Sequence, residues 1–76
     1  MSKLPILTGE KIVKILQKAG FEIIRQRGSH MLLRHRDGRT TVVPIHKSYD
    51  IDRSLLRKII NDADLTREEF IKLLEK

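Results

Sequence analysis

The stretch that decides the fold is "FEIIRQRGSHMLLRHRDGRTTVVPI", residues 21–45. Three short runs rich in β-branched and apolar residues, 21–27, 30–36 and 40–45, are separated by Gly28-Ser29 and Asp37-Gly38, both good turn signals. The pattern predicts a three-stranded antiparallel meander. Gly28-Ser29-His30-Met31 also has the spelling of a scar left by tag cleavage, but such scars belong at a terminus. This one has patterned sequence on both sides and reads as native.

Strand parity adds a face to each residue. Met31, Leu33, Thr41, Val43 and Ile45 form one odd-numbered set, while His30, Leu32, Arg34, Arg36, Val42, Pro44 and His46 form the even one. An odd loop at Asp37-Gly38, such as three residues with a bulge, keeps each set on one side of the sheet. The odd side is then apolar, and the even side carries His30, His46 and Arg34 together. A two-residue turn would mix the sets and separate the two histidines. The odd loop sorts the residues better and is the expectation here. The register of the first strand against the second stays open.

Helices flank the meander. Before it, Ile12, Ile15, Leu16 and Ala19 recur at helical spacing, with Lys11, Lys14 and Lys18 on the other side. Thr8 can cap this helix, Leu7 and Ile12 are spaced as a hydrophobic staple, and Gly20 ends it. After it, "SYDIDRSLLRKIINDA" offers Asp52 as a cap, with Leu55, Leu56, Ile59 and Ile60 on one side. "LTREEFIKLLEK" carries a capping box, Thr66 with Glu69, and a staple, Leu65 with Phe70. The order is α-β-β-β-α-α, an α+β class in which one sheet face must be buried under helices.

The 76 residues are expected to form one domain, 1–76, burying about two-thirds of the unfolded surface. With no cysteine there is neither a disulfide nor a thiolate metal site. No run is long enough for a signal peptide or a membrane span, so a cytoplasmic protein with no membrane partner is expected. The formal net charge is +6 and unevenly placed. Residues 21–48 hold six basic side chains (Arg25, Arg27, Arg34, Arg36, Arg39, Lys47) against two acidic ones, whereas 61–76 hold five acids against three bases. A basic middle on a neutral-to-acidic frame suggests a face for a polyanion. Aromatics are few (Phe21, Tyr49, Phe70), which gives little support to a base-stacking platform.

There is no glycine-rich phosphate loop, no metal-ligand spacing and no Ser-His-Asp arrangement, so no cofactor or metal is expected. Three histidines remain: His30, His35 and His46. Histidine titrates near neutral pH unaided and is the natural proton carrier for cleaving RNA through the ribose 2′-hydroxyl. That reaction also needs positive charge or N–H donors near the phosphorus. A histidine at a strand start, flanked by Gly28 and Ser29 and by Arg25, Arg27 and Arg34, meets those needs. His35, next to the charged Arg36-Asp37-Gly38 turn, reads as an ordinary surface residue. His46, at a strand end after Pro44, could equally cap or bond locally.

The chain resembles the HicA toxins of prokaryotic toxin–antitoxin pairs. The resemblance is carried by "LQKAGFEIIRQRGSH", the strand after it, the "DGR" turn, "VVPIH" and "LLRKII", in order across about residues 7–60. It departs where the family usually opens the second helix with Gly-Thr-Leu, since Ser54-Leu55-Leu56 stands there. The resemblance implies a double-stranded-RNA-binding-domain-like fold, α-β-β-β-α, and here an extra C-terminal helix given to packing. It also implies a metal-independent ribonuclease acting on mRNA with His30 as its catalytic residue, and a HicB antitoxin that covers the active site. Growth arrest would follow loss of the antitoxin.

On this reading His30 is the general acid/base and His46 a helper, while Arg25, Arg27, Gly28, Ser29, Arg34 and Lys47 form the RNA-binding set. A rival is a non-catalytic double-stranded-RNA-binding module using the same face through shape and phosphate contacts. A third is a scaffold that grips an acidic partner protein.

Overall fold

The structure, a computed structural model, describes residues 4–46 and 49–75. In chain order the elements are β1 (Leu7–Thr8), α1 (Gly9–Lys18), β2 (Phe21–Arg27), β3 (His30–His35), β4 (Thr40–Pro44), β5 (Asp50–Ile51), α2 (Arg53–Asp62) and α3 (Arg67–Glu75). The meander is present in the order β2-β3-β4, antiparallel throughout. This is the double-stranded-RNA-binding-domain-like α-β-β-β-α arrangement with a further helix at its end. Among the described residues, no helix is long and apolar enough to cross a membrane.

Each helix begins where a side chain can occupy an orphan backbone N–H. Thr8 Oγ1 accepts from Lys11 N–H at 3.3 Å, and Asp52 Oδ2 from Ser54 N–H at 3.2 Å. The third helix carries the full reciprocal box. Glu69 N–H donates to Thr66 Oγ1 at 3.0 Å, and Thr66 N–H donates to Glu69 Oε1 at 2.8 Å. The Glu69 carboxyl is thereby held below its ordinary range, chiefly by the backbone N–H of Thr66.

The odd loop is also present. His35 N–H donates to Arg39 O at 2.8 Å and Gly38 N–H to His35 O at 2.9 Å, which leaves Arg36, Asp37 and Gly38 as the loop. Gly38 closes it at φ +101°, the positive-φ position of a three-residue hairpin. Parity is therefore conserved between β3 and β4. Met31 opposes Val43 and Leu33 opposes Thr41 on one face; His30 opposes Pro44, Leu32 opposes Val42 and Arg34 opposes Thr40 on the other.

The odd face meets the helices. Leu33 and Val43 pack into a single core with Ile12, Ile15 and Leu16 of α1, Leu56 and Ile59 of α2, and Phe70 of α3. Phe70 gives the last helix its place in that core, as a packing element. Thr41 also faces inward, at 2% exposure, and its hydroxyl has no hydrogen-bond partner among the described residues.

Two features lie outside the sequence reading. A two-stranded ladder joins β1 to β5, pairing Leu7 with Ile51 and Thr8 with Asp50. More consequential is a bulge in β2. Phe21, Glu22 and Ile23 pair with His35, Arg34 and Leu33, but the ladder then resumes at Arg25 opposite Leu32, leaving Ile24 without a partner. The expected strands 30–36 and 40–45 each end one residue early, at His35 and Pro44.

Candidate nucleic-acid interface

The bulge decides what the outer face of the sheet carries. One extra residue in an antiparallel strand changes which face every later side chain takes. Phe21 lies opposite His35 on the helix-covered side and is buried. Without the bulge, Arg25 and Arg27 would follow it inward, since they share its parity. With Ile24 unpaired, Arg25 sits opposite Leu32 and Arg27 opposite His30, so both turn outward.

The outer face then reads as rows across β2, β3 and β4. Arg27, His30 and Pro44 form the row nearest the Gly28-Ser29 turn; Arg25, Leu32 and Val42 form the next. Glu22, Arg34 and Thr40 form a third. The first two rows enclose a shallow depression of about 180 Å³ lined by Arg25, Arg27, His30, Leu32 and Val42. Its floor is aliphatic and its rim is two guanidinium groups and an imidazole. Among the described residues, the side chains of Arg25, Arg27, Arg34 and His30 enter no hydrogen bond, ion pair or ring contact, and all four are exposed.

The turn that presents His30 has two residues, Gly28 and Ser29, between the paired Arg27 and His30. Gly28 has φ +59°, the conformation a type II′ hairpin demands of its first central residue. No atom lies within 4 Å of where its Cβ would be, so backbone conformation is the reason for glycine there. Gln26 Nε2 donates to Gly28 O at 3.2 Å and braces the turn from the inner face.

The other residues of the expected set fall in different places. Arg34 lies on the same outer face one row beyond the depression, opposite Glu22 and Thr40. His46 is exposed and does not line the depression; its ring packs edge-on against Tyr49, centroids 5.6 Å apart. Lys47 lies outside the described residues. Sequence reasoning missed Leu32 and Val42 as the floor. Parity had already placed both beside His30.

The remaining histidine and one arginine are structural. His35 packs edge-on against the Phe21 ring, centroids 5.3 Å apart, and its Nδ1 lies 3.2 Å from Asp37 N and 3.1 Å from Asp37 Oδ1. Arg39 ties three elements together. Its Nε donates to Asp37 Oδ2 at 2.8 Å, its Nη1 to Ala63 O at 2.7 Å, and its guanidinium carbon lies 5.4 Å from the Phe21 ring centroid. The Arg39 guanidinium bonded to Asp37 holds that carboxyl below its ordinary range. Among the described residues, no three His, Asp or Glu side chains gather as a metal ion would require.

Among curated proteins nothing matches the chain. One family model does, that of the HicA toxin of bacterial toxin–antitoxin systems, over residues 9–65. The match runs from the first residue of α1, through the whole meander and the His30 turn, to just past α2. It covers well over half of the sequence, with the elements that build the depression inside it: the chain belongs to the HicA toxin family.

Proposed function

We propose that this toxin is an endoribonuclease that cleaves mRNA without a metal, with His30 as its proton-transfer residue. The observation that carries the reading is the β2 bulge, which brings Arg25 and Arg27 to the face where His30 stands. A phosphodiester seated over the depression meets two cations at its anionic oxygens and an imidazole beside the ribose. His30 takes the proton of the 2′-hydroxyl as the 2′-oxygen bonds to phosphorus. Arg25 and Arg27 stabilise the negative charge that builds on the phosphoryl oxygens. The bond from phosphorus to the 5′-oxygen breaks, and water supplies the proton that oxygen needs, since among the described residues no second histidine or carboxyl group lines the depression. The products are a 2′,3′-cyclic phosphate and a 5′-hydroxyl.

Arg34 extends the cationic face along the strand being bound. Acting on mRNA, the protein works in the cytoplasm. As one half of a toxin–antitoxin system it has an antitoxin partner. That partner is of the HicB type and silences the toxin by covering the His30 face.

The test is incubation of purified protein with a structured mRNA in EDTA, wild type beside His30→Ala. The wild type cuts and leaves cyclic phosphate ends; the variant does not cut, yet melts at the wild-type temperature because His30 is exposed. Salt-sensitive RNA binding with no cleavage by either protein would replace the enzyme with a binding module.

A further inference from the structure

We infer that Tyr49 is a nucleobase-stacking residue which, with the His46 imidazole, receives the base of an unpaired nucleotide next to the scissile phosphate; this rests on the ribonuclease reading above. Of the three aromatic residues, Phe21 and Phe70 are buried, but Tyr49 is 67% exposed, more than any other large hydrophobic side chain described. Its ring is nevertheless held in place. It meets the His46 ring at 73° in a T-shaped contact, and Tyr49 N–H donates to His46 O at 3.3 Å. On its other side the chain enters β5, where Asp50 pairs with Thr8.

The location ties this ring pair to the depression. Pairing of β4 with the hairpin continues past Pro44, because Ile45 N–H donates to Ser29 O at 2.7 Å. Ser29 immediately precedes His30, and His46 immediately follows Ile45. His46 therefore follows directly on the end of β4 that carries the row Arg27, His30 and Pro44, and Tyr49 packs on His46. A nucleotide whose phosphate lies against Arg27 leaves its base to find a partner beyond that row. The floor of the depression is aliphatic, and Tyr49 with His46 offers an exposed π-face just past the end of β4. Aromatic stacking accepts any base, provided the base is not already stacked within a duplex. The pair thus selects single-stranded or looped RNA at the cleavage point.

Tyr49 is the single tyrosine and the chain has no tryptophan, so its intrinsic emission reports this residue alone. The experiment titrates the full chain with a 2′-deoxy-substituted, uncleavable oligonucleotide, reading tyrosine emission and, on a labelled strand, fluorescence anisotropy. Single-stranded oligonucleotide should quench the emission as it binds, and a perfect duplex of the same sequence should not. Tyr49→Ala should weaken single-strand binding by about tenfold and Tyr49→Phe by less than about twofold, with unchanged circular dichroism. Binding seen by anisotropy with unquenched emission overturns the inference and leaves the ribonuclease reading standing. No binding by anisotropy removes both. Unchanged RNA affinity in Tyr49→Ala, with loss of affinity for the antitoxin, would assign the ring to the protein partner instead.

Discussion

Arg39 and Arg27 look alike in the sequence, and replacing each with methionine separates the cation that holds the fold from the cation that faces the substrate. Arg39 Nη1 donates to the Ala63 carbonyl at the end of α2 over 2.7 Å, a partly buried, charge-assisted bond worth about 1.5–3 kcal/mol. Its guanidinium over Phe21 adds about 0.5–1 kcal/mol. The Asp37 pair is open to water, and its small contribution is not counted in the figure. Because the Arg39 side chain keeps 27% exposure, the low end applies, and Arg39→Met should cost about 2 kcal/mol. For a domain of this size that is a fall in Tm of about 8–16 °C. Total stability at about 0.05–0.15 kcal/mol per residue is only roughly 4–11 kcal/mol, so the loss is a large fraction. Arg27→Met removes no described partner and should stay within about 0.5 kcal/mol. Thermal melts followed by circular dichroism measure both. Equal melting temperatures for Arg39→Met and wild type would refute the reasoning, as would an equal drop for Arg27→Met.

Removing Gln26 should force Arg25 to pair opposite Met31 on the inner face and so abolish cleavage, whereas removing Ile24 leaves a regular ladder with every other face unchanged and should keep it; assays of the two deletions decide. Thr41→Val replaces a buried, unpartnered hydroxyl by a methyl group of similar shape and should raise stability by about 1 kcal/mol in urea denaturation. The Glu69 and Asp37 carboxyls are both held below their ordinary values of 4.5 and 3.8. Their contribution is therefore complete above those values and lost as pH falls through the lower folded ones, so melts between pH 6 and about pH 2 should steepen below about pH 4.5. In Glu69→Gln, that steepening should be smaller.

The β3–β4 pairing was legible because both strands alternate cleanly and their loop residues allow one sorted answer. Gly38 accepts the positive φ that a three-residue loop requires, and Leu33 with Val43 went inward as parity demands. The helix caps were legible for the same reason: Thr8, Asp52 and the Thr66–Glu69 box act within one turn of the chain. By contrast, β1 and β5 are two residues each, too short to show any period, and their pairing spans the whole meander. Arg39 could not be told from Arg25 or Arg27 by composition. Its partners Phe21 and Ala63 are distant in sequence and come together only when the core forms.

The register of β2 is a different case, because its signal lay within the strand. Phe21 and Ile23 share odd parity with Arg25 and Arg27, and one strand cannot put all four on the same face of a half-buried sheet. Either an arginine pair enters the core or an aromatic ring leaves it, and burying unpaired guanidinium groups costs several kcal/mol. A bulge between the two pairs removes the conflict, at the cost of one unpaired residue on an edge strand. The chain places it at Ile24, next to Ile23, and both isoleucines are about half exposed. The same local irregularity therefore keeps Phe21 in the core and sets two cations beside His30. Taking out Ile24 undoes neither effect, whereas taking out a residue between Arg25 and the turn undoes the second, so the number of residues from Arg25 to Gly28 fixes the site and the bulge reconciles it with the buried ring.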